Sequence, residues 1–351
     1  MCNNIKCIID VQCFIKKGGI VASSVNSAFD EFLKNTIRLD PGKTSTARSS
    51  RDNLISNINS FSGNEDFFFI ASDLQLNYGS FSRRTKIKPL DDIDLMICIK
   101  GAGRQYTIKN GAYYITSLDS DKDNELLTEE GYLSSRKVIN RFINKLSDLN
   151  DYSKAELHRN QEAVTLKLKS YDWNYDIVPC WYTDTDKFLI PDGSGNWKMT
   201  DPRIDNERTK NINQKHKGEI LDLIRIMKYW NNRPIAPRIN SYLLECMILD
   251  YYNNRSEQYA YWIDMELRDL FQALSNRIFQ SVEDPKEIQG DLNKLSYEDR
   301  EKISQALCKA YQNASKAVDL NDPDSTFVNY NPQSAILKWR EIFGDEFPCC
   351  S

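Results

Sequence analysis

The stretch "DDIDLMICI", residues 91–99, starts with carboxylates and ends in an unbroken apolar run. Such a run reads as a buried strand, and a buried strand accepts acids only where something offsets their charge. With the strand period of two, Asp92, Asp94, Met96 and Cys98 fall on one face, and Asp91, Ile93, Leu95 and Ile97 on the other. Asp92 and Asp94 then project side by side, roughly 7 Å apart along the strand, a spacing from which two carboxylates chelate cations together. A divalent ion would remove both their repulsion and the cost of desolvating them. Asp91 points away from this pair.

Phosphoryl or nucleotidyl transfer with two metal ions needs a third carboxylate, because cations ~3.5–4 Å apart must be bridged and flanked. Asp176 is the candidate: in "WNYDIVPCW" (173–181) it lies between Tyr175 and Ile177 in a second strand-like run. Asp172, Asp184 and Asp186 sit in polar, turn-like contexts and are assigned to loops. Upstream, "NYGSFSRRTKIK" (77–88) places Gly79 and Ser80 in a turn, followed by Arg83, Arg84, Lys86 and Lys88. Glycine lets backbone N–H groups approach a polyphosphate, Ser80 adds a hydroxyl, and the cations, Arg83 among them, make the turn a grip for a nucleotide. A charge run alone more often faces water as a basic hairpin. Its combination with Gly-Ser, an Asp-x-Asp strand and Asp176 favours a site.

The rest of the chain frames these residues. Residues 24–61 are predicted to be mostly helical; Gly42-Lys43-Thr44 within them is no phosphate loop, because the position five before Gly42 is Ile37 and no strand leads in. "FFFIASDLQL" (67–76) predicts a buried strand, residues 100–127 edge strands with a polar loop, and 128–149 a helix with Val138, Phe142 and Leu146 on one side. Residues 162–181 predict two strands around a turn. Residues 190–214 are polar and turn-rich and mark a boundary; helices follow at 216–231, 240–254, 262–281, 296–315 and 331–343. Length is compatible with two fused units, divided as 1–185, a catalytic core with N-terminal helices, and 186–351, a helical unit that completes a nucleotide pocket.

Composition narrows the function. A chain with 11% aromatic residues and 40% hydrophobic residues is globular. A net charge of -4 offers no overall basic face, so extended DNA or RNA binding is not expected. Nine scattered cysteines and two histidines, His158 and His216, give no zinc-ligand spacing and suit a reducing compartment. "MCNNIKCIIDVQCF" (1–14) lacks the basic start of a signal peptide, and no run approaches the ~18 apolar residues of a membrane span. The expectation is a cytoplasmic protein with no membrane partner.

"GSFSRRTKIKPLDDIDLMI" followed by "YDIVP" resembles the Gly-Ser…Asp-x-Asp…Asp pattern of the polymerase-β-like nucleotidyltransferases. With "SRDNL", "PDGSGNW", "LIRIMKYWN", "SYLLE" and "WREIFGDEFP", the chain more narrowly resembles the bacterial CD-NTases, the cGAS/DncV-like enzymes of CBASS anti-phage defence. The resemblance implies an α+β fold: a mixed β-sheet with flanking helices, plus an all-helical C-terminal domain, with the active site in the cleft between them. It implies that Asp92, Asp94 and Asp176 are the catalytic, metal-holding residues for two Mg²⁺ ions, with Mn²⁺ able to substitute. Gly79, Ser80, Lys228 and Ser241 would hold the donor triphosphate, and Tyr242 would stack on a base. For Lys228 a solvated helix cation, and for Tyr242 core packing, stand as alternatives. Arg225 and Lys228 lie three apart on one side of a helix whose other side is apolar. The zinc-binding insertion of animal cGAS is absent, so direct DNA activation is not implied.

The implied activity is template-independent joining of NTPs, ATP and/or GTP, into a cyclic di- or trinucleotide, purine-containing, with release of pyrophosphate and recognition by a separate effector protein. A linear 2′-5′-oligoadenylate or CCA-type enzyme is the alternative on the same fold, and a non-catalytic nucleotide-binding scaffold the alternative from another class.

Overall fold

The computed structural model describes residues 21–350 except 65, 118–122, 150, 151, 153, 154 and 257–260, so the N-terminal stretch read above for a signal peptide lies outside the described residues. In chain order the elements are β1 (Val21–Ala22), α1 (Val25–Phe32), α2 (Pro41–Ser60), β2 (Leu76–Asn77), α3 (Gly79–Ser82), β3 (Asp92–Ile99), β4 (Gln105–Lys109), β5 (Ala112–Thr116), α4 (Ser135–Ser147), β6 (Glu156–Asn160), β7 (Ala163–Lys167), β8 (Asn174–Tyr182), β9 (Phe188–Pro191) and β10 (Trp197–Thr200). The remainder is α5 (Pro202–Lys215), α6 (Ile220–Asn231), α7 (Ser241–Asn253), α8 (Ile263–Arg277), α9 (Tyr297–Asn321), α10 (Pro332–Phe343) and β11 (Cys349–Cys350).

The apolar run is the axis of a mixed sheet. β3 pairs in parallel with β8 along its whole length, from Asp92↔Asn174 to Ile99↔Trp181. The other edge of β8 is shared: β7 pairs with it as far as Ile177, and β9 takes over at Trp181. Pro179, which has no N–H to give to a ladder, sits in the gap between those partners. The full order is β2-β3-β8-β9-β10-β5-β4, with the β7-β6 hairpin branching from β8.

The two faces of β3 divide as its alternation requires. Ile93, Leu95 and Ile97 are buried against Leu54 and Ile58 of α2 and Val138, Ile139 and Phe142 of α4. Met96 and Cys98 join Val178, Cys180, Phe188 and Ile190 in a smaller cluster on the opposite face, the face of Asp92 and Asp94. Helices α5 to α10 surround a third core, and α1 belongs to it: Phe29 and Phe32 make ring contacts with Trp339, Phe343 and Phe347. The N-terminal helices are thus split, α1 to the helical half and α2 to the sheet.

Two segments differ from the sequence reading. Residues 67–76 are not a strand: Ile70 forms one isolated bridge to Ile99, Ser72–Leu74 is a 3₁₀ turn, and only Leu76–Asn77 pair. The aromatic residues that suggested a strand are drawn instead into a ring cluster, with Phe67 and Phe68 4.9 and 5.9 Å from Phe142, while Phe69 is turned out to solvent. Residues 190–214 are not a turn-rich connection. β9 and β10 form an antiparallel hairpin within the sheet, closed around Asp192, whose carboxylate accepts from the N–H groups of Ser194, Gly195 and Asn196. Pro202–Lys215 is a helix capped by Asp201. The sheet therefore continues through Thr200, past the division drawn at 185. No helix among the described residues is long and apolar enough to cross a membrane.

Candidate active site

The parallel register places Asp94 directly beside Asp176. Asp92, Asp94 and Asp176 each offer a carboxylate oxygen, and these oxygens all lie within 4.8 Å of one another. Asp91, one residue before the strand, is exposed and outside this cluster, as the face argument requires; Lys86 pairs with both Asp91 and Asp92. On the far side of β8, Thr165 of β7 stands opposite Asp176, and its hydroxyl donates to Asp176 Oδ1 at 2.6 Å. The alternation of "AVTLK" (163–167) sets Thr165 apart from Val164 and Leu166, but a local pattern does not show that it faces an acid.

Burial, and after it the neighbouring Asp176, push the Asp94 carboxyl up to about 6. The folded chain then binds more protons at this group than the unfolded chain, so its contribution makes stability fall as pH rises from the ordinary carboxylate value toward 6. An all-oxygen set of crowded carboxylates fits a hard divalent cation, which offsets that penalty. In EDTA at pH 7.5, Asp94→Asn should therefore be more stable than the parent by about 3 kcal/mol. The difference should close as pH falls through the window from 6 to 4, which urea denaturation at pH 7.5 and pH 4 would measure.

Gly79 is dictated by this cluster. Its φ is +73°, and a Cβ there would lie 1.8 Å from Asp94 Oδ2, so only glycine lets the backbone close against the carboxylate. Gly79 and Ser80 open the single-turn helix α3 rather than a tight turn between strands. The segment then folds back: the Ser80 carbonyl accepts from the N–H groups of Thr85 and Lys86 at 2.9 and 3.1 Å, and Ser82 donates to the Asn77 carbonyl.

Arg83 and Lys228 converge on an acid that the sequence reading passed over. Glu245 of α7 is buried; Arg83 Nε donates to its Oε2 at 3.1 Å, Thr85 Oγ1 donates to its Oε1 at 3.0 Å, and Lys228 of α6 forms an ion pair with it. Lys228 also donates to the Thr85 carbonyl at 3.2 Å. Burial raises the Glu245 carboxyl, but Arg83 and Lys228 outweigh it and hold the group below its ordinary value. Lys228 is thus neither solvated nor alone: it straps the Gly-Ser segment to the helical half. The signal for Glu245 was available, a lone acid in the apolar run "YLLECMIL" (242–249).

Ser241 opens α7, and Asn240 caps that helix by accepting from the N–H groups of Tyr242 and Leu243. Tyr242 is half-buried. Its hydroxyl donates to Asp205 at 2.6 Å, lies 3.2 Å from Asp284, and contacts Lys286, whose Nζ is 4.2 Å from the ring centroid. The ring packs against the helical core, as the alternative for Tyr242 had it, and is also pinned through its hydroxyl. Tyr78, next to the Gly-Ser pair, was also missed; burial, and next Asp94, raise its phenol.

Thr165→Val is expected to lower turnover about tenfold while leaving nucleotide affinity within twofold, because it removes the hydroxyl that orients Asp176, a loss worth about 10- to 100-fold where such a carboxylate holds a metal. Steady-state kinetics on purified Thr165→Val and Thr165→Ser chains check this, with Thr165→Ser retaining most activity.

Over residues 24–213 the chain matches the family model described as the Second Messenger Oligonucleotide or Dinucleotide Synthetase (SMODS) domain. It is 43% identical over 338 residues to a protein of Bacillus cereus (strain VD146) described as a probable cyclic nucleotide synthase, a match that covers 93% of this chain and 99% of that one. It is 26% identical over 208 residues to the cyclic AMP-AMP-AMP synthase of an Acinetobacter species, covering 57% of each chain. Among solved structures, E. coli CdnC with ATP superposes with a TM-score of 0.67 at 16% identity, covering 91% of this chain and 98% of that one. The Vibrio cholerae DncV cyclic AMP-GMP synthase gives 0.61 at 10% identity, covering 90% and 93%. These likenesses establish the polymerase-β-like nucleotidyltransferase fold. Gly79, Ser80 and the three aspartates all fall inside the matched span, and the chain belongs to the SMODS family of cGAS/DncV-like nucleotidyltransferases, the CD-NTases.

Proposed function

We propose that this nucleotidyltransferase joins purine NTPs, ATP and/or GTP, into a cyclic di- or trinucleotide that a separate effector protein reads in anti-phage defence. The observation that carries the chemistry is the acid cluster, three carboxylates from two adjacent strands within 4.8 Å. The relatives support the cyclic product: the Bacillus protein is described as a probable cyclic nucleotide synthase and the Acinetobacter protein as a cyclic AMP-AMP-AMP synthase.

Asp92, Asp94 and Asp176 would hold two Mg²⁺ ions, or Mn²⁺ in their place, a pair that supplies activation of the attacking ribose hydroxyl and neutralisation of charge on the triphosphate. Asp176, kept in one orientation by Thr165, lies at the hydroxyl side and helps draw off its proton. The Gly79 backbone, pressed against Asp94, brings the Ser80 hydroxyl and neighbouring N–H groups to the β- and γ-phosphates. Ser241 reaches the same phosphates from the helical half. Arg83 and Lys228 act through Glu245, fixing the Ser80–Lys86 segment between the two halves and adding positive charge behind the departing pyrophosphate. Tyr242, its ring held by the Asp205–Asp284–Lys286 contacts, provides a fixed surface for a base. Attack of a hydroxyl on the α-phosphorus forms the new ester and releases pyrophosphate; two such steps give a cyclic dinucleotide and three a cyclic trinucleotide, the last in each case joining the two ends.

The test is incubation of the purified chain with each NTP mixture and Mg²⁺, followed by phosphatase treatment and mass spectrometry. Phosphatase-resistant cyclic products are expected. A phosphatase-sensitive linear ladder would replace this reading with the linear synthase, and unchanged NTPs would replace it with a binding scaffold.

A further inference from the structure

A second concentration of positive charge lies away from the Glu245 network. Arg38 and Leu39 ahead of helix α2, α2 itself, α3 with the segment after it, and helix α6 line an open cavity of about 310 Å³ that Arg38, Arg48, Arg84, Lys86 and Arg225 border. This falls within the size range of small-molecule sites, about 300–1,000 Å³. Its charge is only partly offset. Arg38 and Arg225 share Asp222, and Lys86 pairs with Asp91 and Asp92. Arg48 and Arg84 are exposed and pair with no carboxylate among the described residues.

The backbone is also held for this arrangement. Arg84 adopts φ +60°, a left-handed conformation that non-glycine residues rarely take, and its carbonyl accepts from the Arg225 guanidinium. Two cations are thereby drawn together, and burial, with Arg38 and Arg84 nearby, keeps the Arg225 guanidinium below its ordinary value. Guanidinium groups gathered around a concave surface match the bidentate geometry of phosphate oxygens. The phenyl ring of Phe81 and the side chain of Leu39 also border the cavity, making it a pit rather than the basic stripe that a duplex requires.

We propose that this cavity is a second phosphate site, distinct from the acid cluster, that takes a compact polyphosphate anion, and that Lys86 links the two. Lys86 both lines the cavity and pairs with Asp92. An anion in the cavity competes for that ammonium and loosens its hold on Asp92, leaving the carboxylate freer for a cation. By reciprocity, whatever removes Asp92 as a partner for Lys86 strengthens anion binding. The site goes beyond the proposed synthesis and does not depend on which nucleotides are joined.

The test is isothermal titration calorimetry of the full chain with sodium tripolyphosphate in EDTA, where the acid cluster, with no divalent cation to offset its charge, repels the anion. One saturable site per chain is expected. Arg48→Glu and Arg84→Glu, both at exposed positions, should each weaken it at least tenfold with unchanged melting temperature. Asp92→Asn should tighten it severalfold, and more than Asp94→Asn, which removes the same charge without a contact to Lys86. Parallel titrations use single-stranded and duplex RNA at equal phosphate concentration. Absence of tripolyphosphate binding, wild-type affinity in both arginine variants, or binding of RNA alone would overturn the site. Equal effects of the Asp92 and Asp94 variants would overturn the Lys86 link. Because no turnover is measured, a chain that failed to make a cyclic product would still return a clear answer here.

Discussion

Asp176→Asn is expected to cut product formation by about 10³-fold, the scale on which removing a single group that stabilises developing charge in a preorganised site is felt. The fold should survive, because asparagine still offers an oxygen to the Thr165 hydroxyl and the β3–β8 ladder is made by backbone. Asp92→Ala should be equally damaging. Asp91→Asn is the informative companion, since it changes the adjacent carboxylate in sequence yet lies off the cluster; less than about threefold loss is expected, of the order of an exposed ion pair's weak contribution. Product quantified by mass spectrometry, alongside thermal melts of each variant, checks the set. Equal losses at Asp91 and Asp92 would sink the assignment of strand faces, and full turnover in Asp176→Asn would sink the three-carboxylate site.

Glu245→Ala should be the most destabilising single change near the site, at about 3–5 kcal/mol, because it strands two buried cations rather than one. Lys228 is left with only neutral partners at Thr85, and Arg83 loses both of its contacts to the acid. Lys228→Met should cost less, since Arg83 and Thr85 continue to satisfy Glu245. Denaturant unfolding orders the three chains as parent, Lys228→Met, Glu245→Ala. An Ala variant as stable as the parent would show that the cluster is not what couples the Gly-Ser segment to the helices. Activity should fall in both variants, chiefly through weaker NTP binding, as the segment carrying Ser80 loses its anchor.

The strand carrying Asp92 and Asp94 was legible because alternation is a local property: the same period that buries Ile93, Leu95 and Ile97 forces the acids to the other face. Asp176 was legible for the same reason, as an acid isolated among apolar neighbours. Gly79 was read as a turn glycine; its actual constraint is a contact with Asp94, which no local pattern encodes. Partnership across the chain was equally hidden. Helical periodicity gives the side of α6 on which Lys228 lies, but only packing of α7 beside it reveals Glu245 as its counterion. Phe67 and Phe68 misled because aromatic residues favour strands and ring clusters alike, and the decision between them depends on Phe142. The β9–β10 hairpin was masked by "PDGSGN", a polar turn long enough to look like a linker between short apolar segments.

The side-by-side pairing of Asp94 with Asp176 has an evolutionary corollary. What brings these two residues together is a ladder of main-chain hydrogen bonds, so their separation in space is independent of how much chain is strung between them. The intervening segments can lengthen, shrink or be exchanged without retuning the acids, provided that β3 and β8 keep step and β7 still sets Thr165 opposite Asp176. A single residue inserted within β8 ahead of Asp176, by contrast, would turn that carboxylate to the opposite face and dismantle the trio at a stroke. A chain of this fold is therefore free to differ in much of what lies between the two strands, but only around a fixed strand phase and a β7 that still meets β8 at Asp176.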